Sequence, residues 1–495
     1  MDLIQALMTS LAPSVLLFNI LGTALGIAIG ALPGLTATMG VALAVPLTFG
    51  MNPAAGLAML GGIYCGAVYG GSISAILINT PGTPSGAATV LDGYPMAQKG
   101  KAIEALGFAT ISSFIGGIFS VVVLSVAAPA LAKVALEFGP AEYFGVMVFG
   151  ITIVSSISAN NLIKGLLAGV LGMFLGTIGY DPITAYPRFA ENINGLFGGF
   201  AIVPALIGLF SVSQVLIMIS EKRNSETSIG KLLGHIPTLS QLKHFIPSFI
   251  RSSVIGTFVG ILPGAGSSIA AFMSYNEAMR FSKKKDQFGT GIPDGVVASE
   301  TANNAVTGGS LVPLLTLGIP GNAVSAVFLG ALTIQGLKPG PFLFIDQAPL
   351  MYSLFISLAI ANLTFLVMGL SCVRIFPKIL RISPTILSVV IILLGTVGSF
   401  AVRNEFFDVW AVFIFGIIGY ILRRSKIPTG PVVLGLILGP MIESNFKQAM
   451  LISDGNLMTF VAKPICLVFL ILALLSFFTP IIMELKRKAK TGSAA

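Results

Sequence analysis

The chain reads as a succession of apolar stretches separated by short polar loops, starting near Leu11 and recurring as far as Met483. Stretch after stretch is long enough for a helix to span a hydrocarbon core ~30 Å thick, and the weak alternation of a membrane barrel is absent. The pattern predicts an all-α polytopic membrane protein of about 10–12 transmembrane helices. Two unusual segments interrupt it, and they recur in the same order. Gly30-Ala31-Leu32-Pro33-Gly34 is followed by Gly70-Gly71-Ser72 and Pro81-Gly82-Thr83. Later, Gly260-Ile261-Leu262-Pro263-Gly264 is followed by Gly308-Gly309-Ser310 and Pro320-Gly321-Asn322. The offsets are 230, 238 and 239 residues, and the step falls where the second copy carries its charged Lys283-to-Asp286 stretch. Three matches in one order predict an internal repeat.

The halves divide at the polar stretch Glu221 to Lys243, which contains Asn224-Ser225-Glu226-Thr227-Ser228. Basic residues mark cytoplasmic loops, which places the loop Glu221 to Arg251 and the later Lys283–Lys285 inside. Only about thirty residues separate Arg251 from Lys283, with Pro263-Gly264 near their middle; at 1.5 Å per residue that suffices for two half-spans, a re-entrant hairpin. The basic-poor Met1 end implies that the matching hairpin of the first half dips in from outside, so the repeats are expected to be inverted. The first repeat is placed at 1–220, with a hairpin at 14–49, a broken span at 54–91 and scaffold spans over 103–220, one of them from Tyr143 to Ala159. A cytoplasmic linker at 221–250 follows. The second repeat is placed at 251–483, with a hairpin at 251–280, a broken span at 295–337 and scaffold spans over 350–483, before a basic cytoplasmic tail at 484–495.

Composition narrows the function. Of 495 residues 55% are hydrophobic and 9% charged, and the mean hydropathy is +0.94. A soluble domain carries about 25% charged residues, so a soluble enzyme with an anchor and a disordered chain are both excluded. The net charge of +9 sits in short loops such as Glu221-Lys222-Arg223 and Arg423-Arg424-Ser425-Lys426 and in the tail Lys486-Arg487-Lys488, so it reports topology rather than nucleic acid. Cys65, Cys372 and Cys466 lack CxxC spacing and read as packing residues. His235 and His244 fall in the basic linker, leaving no membrane-embedded histidine. Met1 to Ser10 hold no Lys or Arg, so the first apolar run is expected to stay in the mature chain. Phe406, Phe407 and Trp410 beside Arg403 read as interfacial anchors.

Taken singly, a Pro-Gly pair in a membrane helix reads as a packing kink. Four of them, each followed by small hydroxyl or amide residues, suggest one central cavity. A helix broken at membrane depth frees backbone groups that only protein or a watery cavity receives. The helix that restarts presents free N–H groups and its positive dipole end, which suits a carboxylate. The candidate substrate-binding set is Pro33, Gly34, Thr36, Thr38, Gly82, Thr83, Ser85, Gly264, Ser267, Ser268, Gly321 and Asn322. Carbonyls and side-chain oxygens near the breaks suit a sodium ion, which makes Asn79, Thr80, Glu300, Asn303, Asn304 and Thr307 the candidate cation-coupling set. An unpaired acid in the membrane costs at least ~2.5 kcal/mol, so Glu300 faces the protein interior or is neutralised; alternatively it reaches water at a loop end, six residues after Asp294. The offset of 238 puts Gly62 at its place in the first half, so the halves do not contribute equally. Lys99, Lys101 and Lys338 lie only at the margins of the broken segments, so anion binding is expected to rest mainly on backbone amides and hydroxyls. No Gly-rich run ends in Gly-Lys-Ser/Thr, so no ATP site is indicated and the energy would come from an ion gradient.

The runs Gly30-Ala31-Leu32-Pro33-Gly34-Leu35-Thr36, Tyr69-Gly70-Gly71-Ser72 through Asn79-Thr80-Pro81-Gly82-Thr83, Gly264-Ala265-Gly266 and Glu300-Thr301-Ala302-Asn303-Asn304 resemble the large membrane subunit of bacterial tripartite tricarboxylate transporters, the TctA type. The likeness extends over nearly the whole chain. It implies a secondary carrier in the bacterial inner membrane, not an enzyme, working with a small membrane subunit of about four spans and a periplasmic solute-binding protein. It implies uptake of carboxylates, from tricarboxylates and dicarboxylates to aromatic acids, driven by Na+ or H+, with no cofactor and no nucleic-acid partner. The rival reading is a passive organic-anion channel, whose uptake never exceeds equilibrium. An intramembrane enzyme lacks an embedded histidine, a Ser-Lys or paired-Asp arrangement and a metal cluster; a purely structural subunit has no use for four broken helices.

Overall fold

The computed structural model describes residues 2–157, 162–181, 183–191, 193–221 and 233–492. The Asn224-to-Ser228 boundary stretch, Lys222 and Arg223, and the expected span end at Ala159 lie outside the described residues. The first half comprises α1 (Asp2–Ser10), α2 (Pro13–Ala31), α3 (Ala37–Ala44), α4 (Pro53–Ile78), α5 (Ala87–Met96), α6 (Ala102–Ala135), α7 (Pro140–Ile157), α8 (Leu162–Gly176), α9 (Ile202–Leu206) and α10 (Ser213–Ser220). After α11 (Leu239–Lys243) come α12 (Ile246–Ile261), α13 (Gly266–Phe281), α14 (Pro293–Gly309), α15 (Leu311–Leu317), α16 (Ala323–Ile334), α17 (Leu343–Asp346), α18 (Ala348–Ser371), α19 (Phe376–Ile379), α20 (Pro384–Arg403), α21 (Phe406–Arg424), α22 (Thr429–Ile452), α23 (Thr459–Ala462) and α24 (Pro464–Gly492). The strands among the described residues are one antiparallel pair, β1 (Gly179–Tyr180) and β2 (Pro187–Arg188).

This is an all-α polytopic membrane protein. Among the described residues seven helical stretches are long and apolar enough to cross a bilayer, α2, α4, α18 and α21 being four of them, and six shorter apolar helices accompany them. The two hairpins differ from each other in the lengths of their arms. In the second, α12 and α13 are 16 residues each; in the first, α2 has 19 residues and α3 only 8. The run from Pro13 to Ala31 contains no charged residue that would stop the helix short, so this arm reaches full membrane length.

Two helices form the centre. Every residue from Ala54 to Leu77 of α4 and from Gly295 to Gly309 of α14 is buried. Both owe their close neighbours to glycine at four-residue spacing. A Cβ on Gly22, Gly26 or Gly30 of α2 would lie 2.3, 2.5 or 2.1 Å from the carbonyl oxygens of Met59, Ile63 and Ala67 on α4. The second half repeats the device: a Cβ on Gly256 of α12 would lie 2.3 Å from the Ala302 oxygen of α14, and one on Gly260 would lie 3.1 Å from the Gly309 Cα. The outer helices show the opposite character. On α20, Ile386, Val389, Leu393 and Val397 are exposed, as lipid-facing side chains are in a chain seen without its bilayer.

Outside the helical core, the loop that follows α8 is tied to α22 by charge. Asp181 accepts from Lys447 and from the backbone N–H groups of Ile183 and Thr184 at 2.9 and 3.0 Å, and Arg188 pairs with Glu443 at 2.7 Å. The Lys447 hydrogen bond, with those of the two amides, holds the Asp181 carboxyl well below the usual carboxylate range. A depressed carboxyl contributes stability above its unfolded pKa and loses it as the pH falls towards the folded one. Protease nicking of residues 183–191 is therefore expected to rise below about pH 4. Asp181→Asn should show that faster nicking already at neutral pH and flatten the profile.

Candidate functional site

Each half breaks its helices in the same way. Leu32 and Leu262 precede proline, which disfavours helical backbone, and both take extended geometry (φ −81°, ψ 118° and φ −76°, ψ 120°). Gly34 and Gly264 then turn the chain with φ +93° and +82°, a conformation glycine adopts without a Cβ clash. The second break of each half begins at a left-handed residue, Asn79 (φ 55°) or Gly318 (φ 71°). It ends at an extended cap, Thr83 or Asn322. The two breaks of a half touch. A Cβ on Gly82 would lie 1.9 Å from the Gly30 oxygen and one on Gly321 2.8 Å from the Gly260 oxygen, while the Gly264 N–H donates to the Gly321 carbonyl at 2.7 Å.

All four breaks open on one cavity of about 750 Å³. Of the residues expected to bind substrate, Gly34, Thr36, Thr38, Gly82, Thr83, Ser85, Gly264, Ser267, Ser268 and Asn322 line it; Pro33 and Gly321 stand in the same breaks but not on its wall. Four of these lining side chains already have local partners, Thr83 and Ser85 sharing a hydrogen bond at 3.0 Å. Thr36 accepts from the Met39 N–H at 3.2 Å, and Asn322 forms a reciprocal cap with Ser325 at 2.8 Å while donating to Tyr64 Oη at 3.0 Å. The N–H groups of the first helical turns, at Ala37, Thr38, Ala323 and Val324, belong to residues on the cavity wall.

The acid of α14 is wholly interior. Glu300 is 0% exposed, so the loop-end alternative is set aside. Its carboxylate accepts from Thr89 Oγ1 on α5, from Ser113 Oγ on α6 at 3.0 Å, and from Asn304 Nδ2 at 3.4 Å. No Lys, Arg or His pairs with it among the described residues. The side-chain oxygens of Asn303 and Asn304 are buried without a hydrogen-bond partner. Asn303 Nδ2 donates at 3.5 Å to the carbonyl of Val68, and Val68 lines the cavity, so one residue separates the acid's helix from the substrate space. Thr307 sits a turn further along, its hydroxyl on the Asn304 carbonyl at 2.6 Å. Asn79 is exposed and Thr80 half-buried at the end of α4; the structure brings neither to this group nor to the cavity wall.

Three features escaped the sequence. Arg423, taken for part of a basic loop, lines the cavity, so a guanidinium joins the backbone amides there. Gln214 lines it too and accepts from Arg423. Asp92, fully buried, joins the halves by accepting from Tyr275 Oη (2.9 Å) and from the N–H groups of Gly289, Gly291 and Ile292 (3.0, 2.8 and 3.1 Å). The one available signal was Arg423's place in the last helical turn rather than in the loop. Both histidines are exposed, as are Phe406 and Trp410, whereas Phe407 stacks on Phe200.

A family model described as tripartite tricarboxylate transporter TctA matches residues 16–434. An uncharacterized 52.8 kDa protein in the TAR-I ttuC' 3' region of Agrobacterium vitis is 37% identical over 469 residues, covering 94% of this chain and 93% of that protein. An uncharacterized protein in the TAR-II ttuC' 3' region of the same organism is 36% identical over 233 residues, 47% of this chain and 96% of its own. No solved structure matches the chain.

Proposed function

The chain belongs to the tripartite tricarboxylate transporter TctA family and is thus a transporter component that works with partner subunits; on that premise we propose that it is the carrier that moves organic carboxylates into the cell against their gradient. One observation carries this reading: four helix interruptions from two similarly built halves converge on a single cavity. Restarted helices offer partial positive charge and N–H donors where a carboxylate would sit. Glu300, Asn303, Asn304 and Thr307 then serve the driving cation, Na+ or H+, through α14, which reaches the cavity wall at Val68. The halves lie inverted across a bacterial inner membrane, with the basic loops inside by the positive-inside rule. The partners are a small membrane subunit of about four spans and a periplasmic solute-binding protein that delivers the solute.

Uptake of radiolabelled citrate, succinate or benzoate into proteoliposomes holding all three components tests this. At least one of them is expected to accumulate above equilibrium only under a cation gradient. Asn303→Ala is expected to slow that accumulation roughly tenfold, because truncation leaves the Val68 carbonyl and the cation without their amide. Accumulation without a gradient would overturn the coupling, and uptake that stops at equilibrium would make the protein a channel.

A further inference from the structure

We propose that Arg423, positioned by Gln214, is the specificity-determining residue of the cavity and demands a second carboxylate on the solute. This inference rests on the proposed carboxylate function and adds to it the residue that discriminates among carboxylates. The restarted helices and Arg423 come from different parts of the fold. The breaks belong to the two hairpins and the two central broken spans, whereas Arg423 ends α21 and faces the cavity beside Phe210 and Gln214 and the start of α22 at Thr429.

Among the described residues no Asp or Glu oxygen lies within 4.0 Å of Arg423, although Arg188, Arg403, Lys447 and Lys463 all have carboxylate partners. Its Nη1 donates to the neutral Gln214 Oε1. A guanidinium has five N–H donors, so one such acceptor leaves most of its capacity unused. Gln214 in turn reaches the first hairpin: its Nε2 lies 3.1 Å from where a Gly34 Cβ would stand. The glutamine therefore stands between the hairpin turn and the guanidinium and holds the cation near the break.

Electrostatics then sets the selection. Helix starts carry partial positive charge, and Arg423 adds a full one to the same half-enclosed cavity without a counter-ion. A single carboxylate placed at the breaks leaves the guanidinium uncompensated; a solute with a second carboxylate satisfies both, and arginine binds carboxylates in a bidentate, charge-assisted way. Aromatic monocarboxylates are disfavoured by the same logic.

The test is equilibrium binding of radiolabelled citrate, succinate and benzoate to the purified full-length chain. Arg423→Gln is expected to weaken citrate and succinate by about tenfold or more while changing benzoate less than about twofold. Gln214→Glu, which adds a carboxylate beside the guanidinium without removing it, is expected to produce the same selective loss and serves if Arg423→Gln does not fold. Arg423→Lys should restore part of the dicarboxylate affinity. Equal weakening of all three anions, or no weakening, would overturn the role of Arg423 while leaving the carboxylate reading intact. A wild-type chain that binds none of the three would overturn that reading itself, and this inference with it.

Discussion

Replacement of Glu300 by glutamine is expected to abolish gradient-driven accumulation in the reconstituted three-component system while leaving solute exchange across the bilayer. The acid is fully buried, held by Thr89, Ser113 and Asn304, and has no basic partner among the described residues. A charge left alone at membrane depth costs at least ~2.5 kcal/mol, so the site favours either a bound proton or a bound cation. Glutamine keeps the size and one acceptor oxygen but carries no exchangeable charge, so it mimics the neutral state permanently. The carrier then cycles without drawing on the gradient. Glu300→Ala should behave differently: Asn304 keeps Ser113 Oγ and Thr89 keeps Ser299, but the Ser113 hydroxyl is stranded at about 1–3 kcal/mol, which lowers the melting temperature as well. Measuring counterflow and concentrative uptake side by side separates the two, and normal accumulation by Glu300→Gln would exclude the residue from coupling.

The second large effect concerns Gly82. A Cβ there would stand 1.9 Å from the backbone oxygen of Gly30 and 2.7 Å from Ser74 Oγ, and neither the hairpin nor α4 can yield without opening the cavity wall. Gly82→Ala is expected to cost about 1–3 kcal/mol of stability by overpacking and to abolish solute binding. Gly321→Ala, whose Cβ would meet the Gly260 oxygen at 2.8 Å, should be milder in both respects. Thermal melts and citrate binding on the two variants give the order; the reverse order, or equal effects, would mean that the two breaks do not pack as described.

The family model confirms the likeness carried by the Pro-Gly and Glu-Thr-Ala-Asn-Asn runs. Those runs were legible because their consequences are local: proline forces the preceding Leu32 or Leu262 out of the helix, and Gly34 or Gly264 takes the left-handed turn, whatever surrounds them. Partner choice was not legible. Glu300 meets Thr89 and Ser113 across 211 and 187 residues, and Gln214 meets Arg423 across 209. Serines and threonines on membrane helices look alike in sequence whether they cap, pack or receive a carboxylate. Asp92, on a short helix near Lys99, gave no hint that it fastens the other half's Gly289–Ile292 backbone.

By itself, then, the sequence determined that this chain lives in a bilayer, that its helices break at Pro-Gly pairs, and that the breaks recur in two halves, because hydropathy, proline sterics and glycine freedom act within a few residues. Only the tertiary structure decided that the breaks share one cavity, that Glu300 has hydroxyls rather than a basic side chain for company among the described residues, and that Arg423 turns towards the cavity instead of marking a loop. Those outcomes depend on which helix faces reach one another once glycine lets the backbones close, and no window of neighbouring residues contains that information.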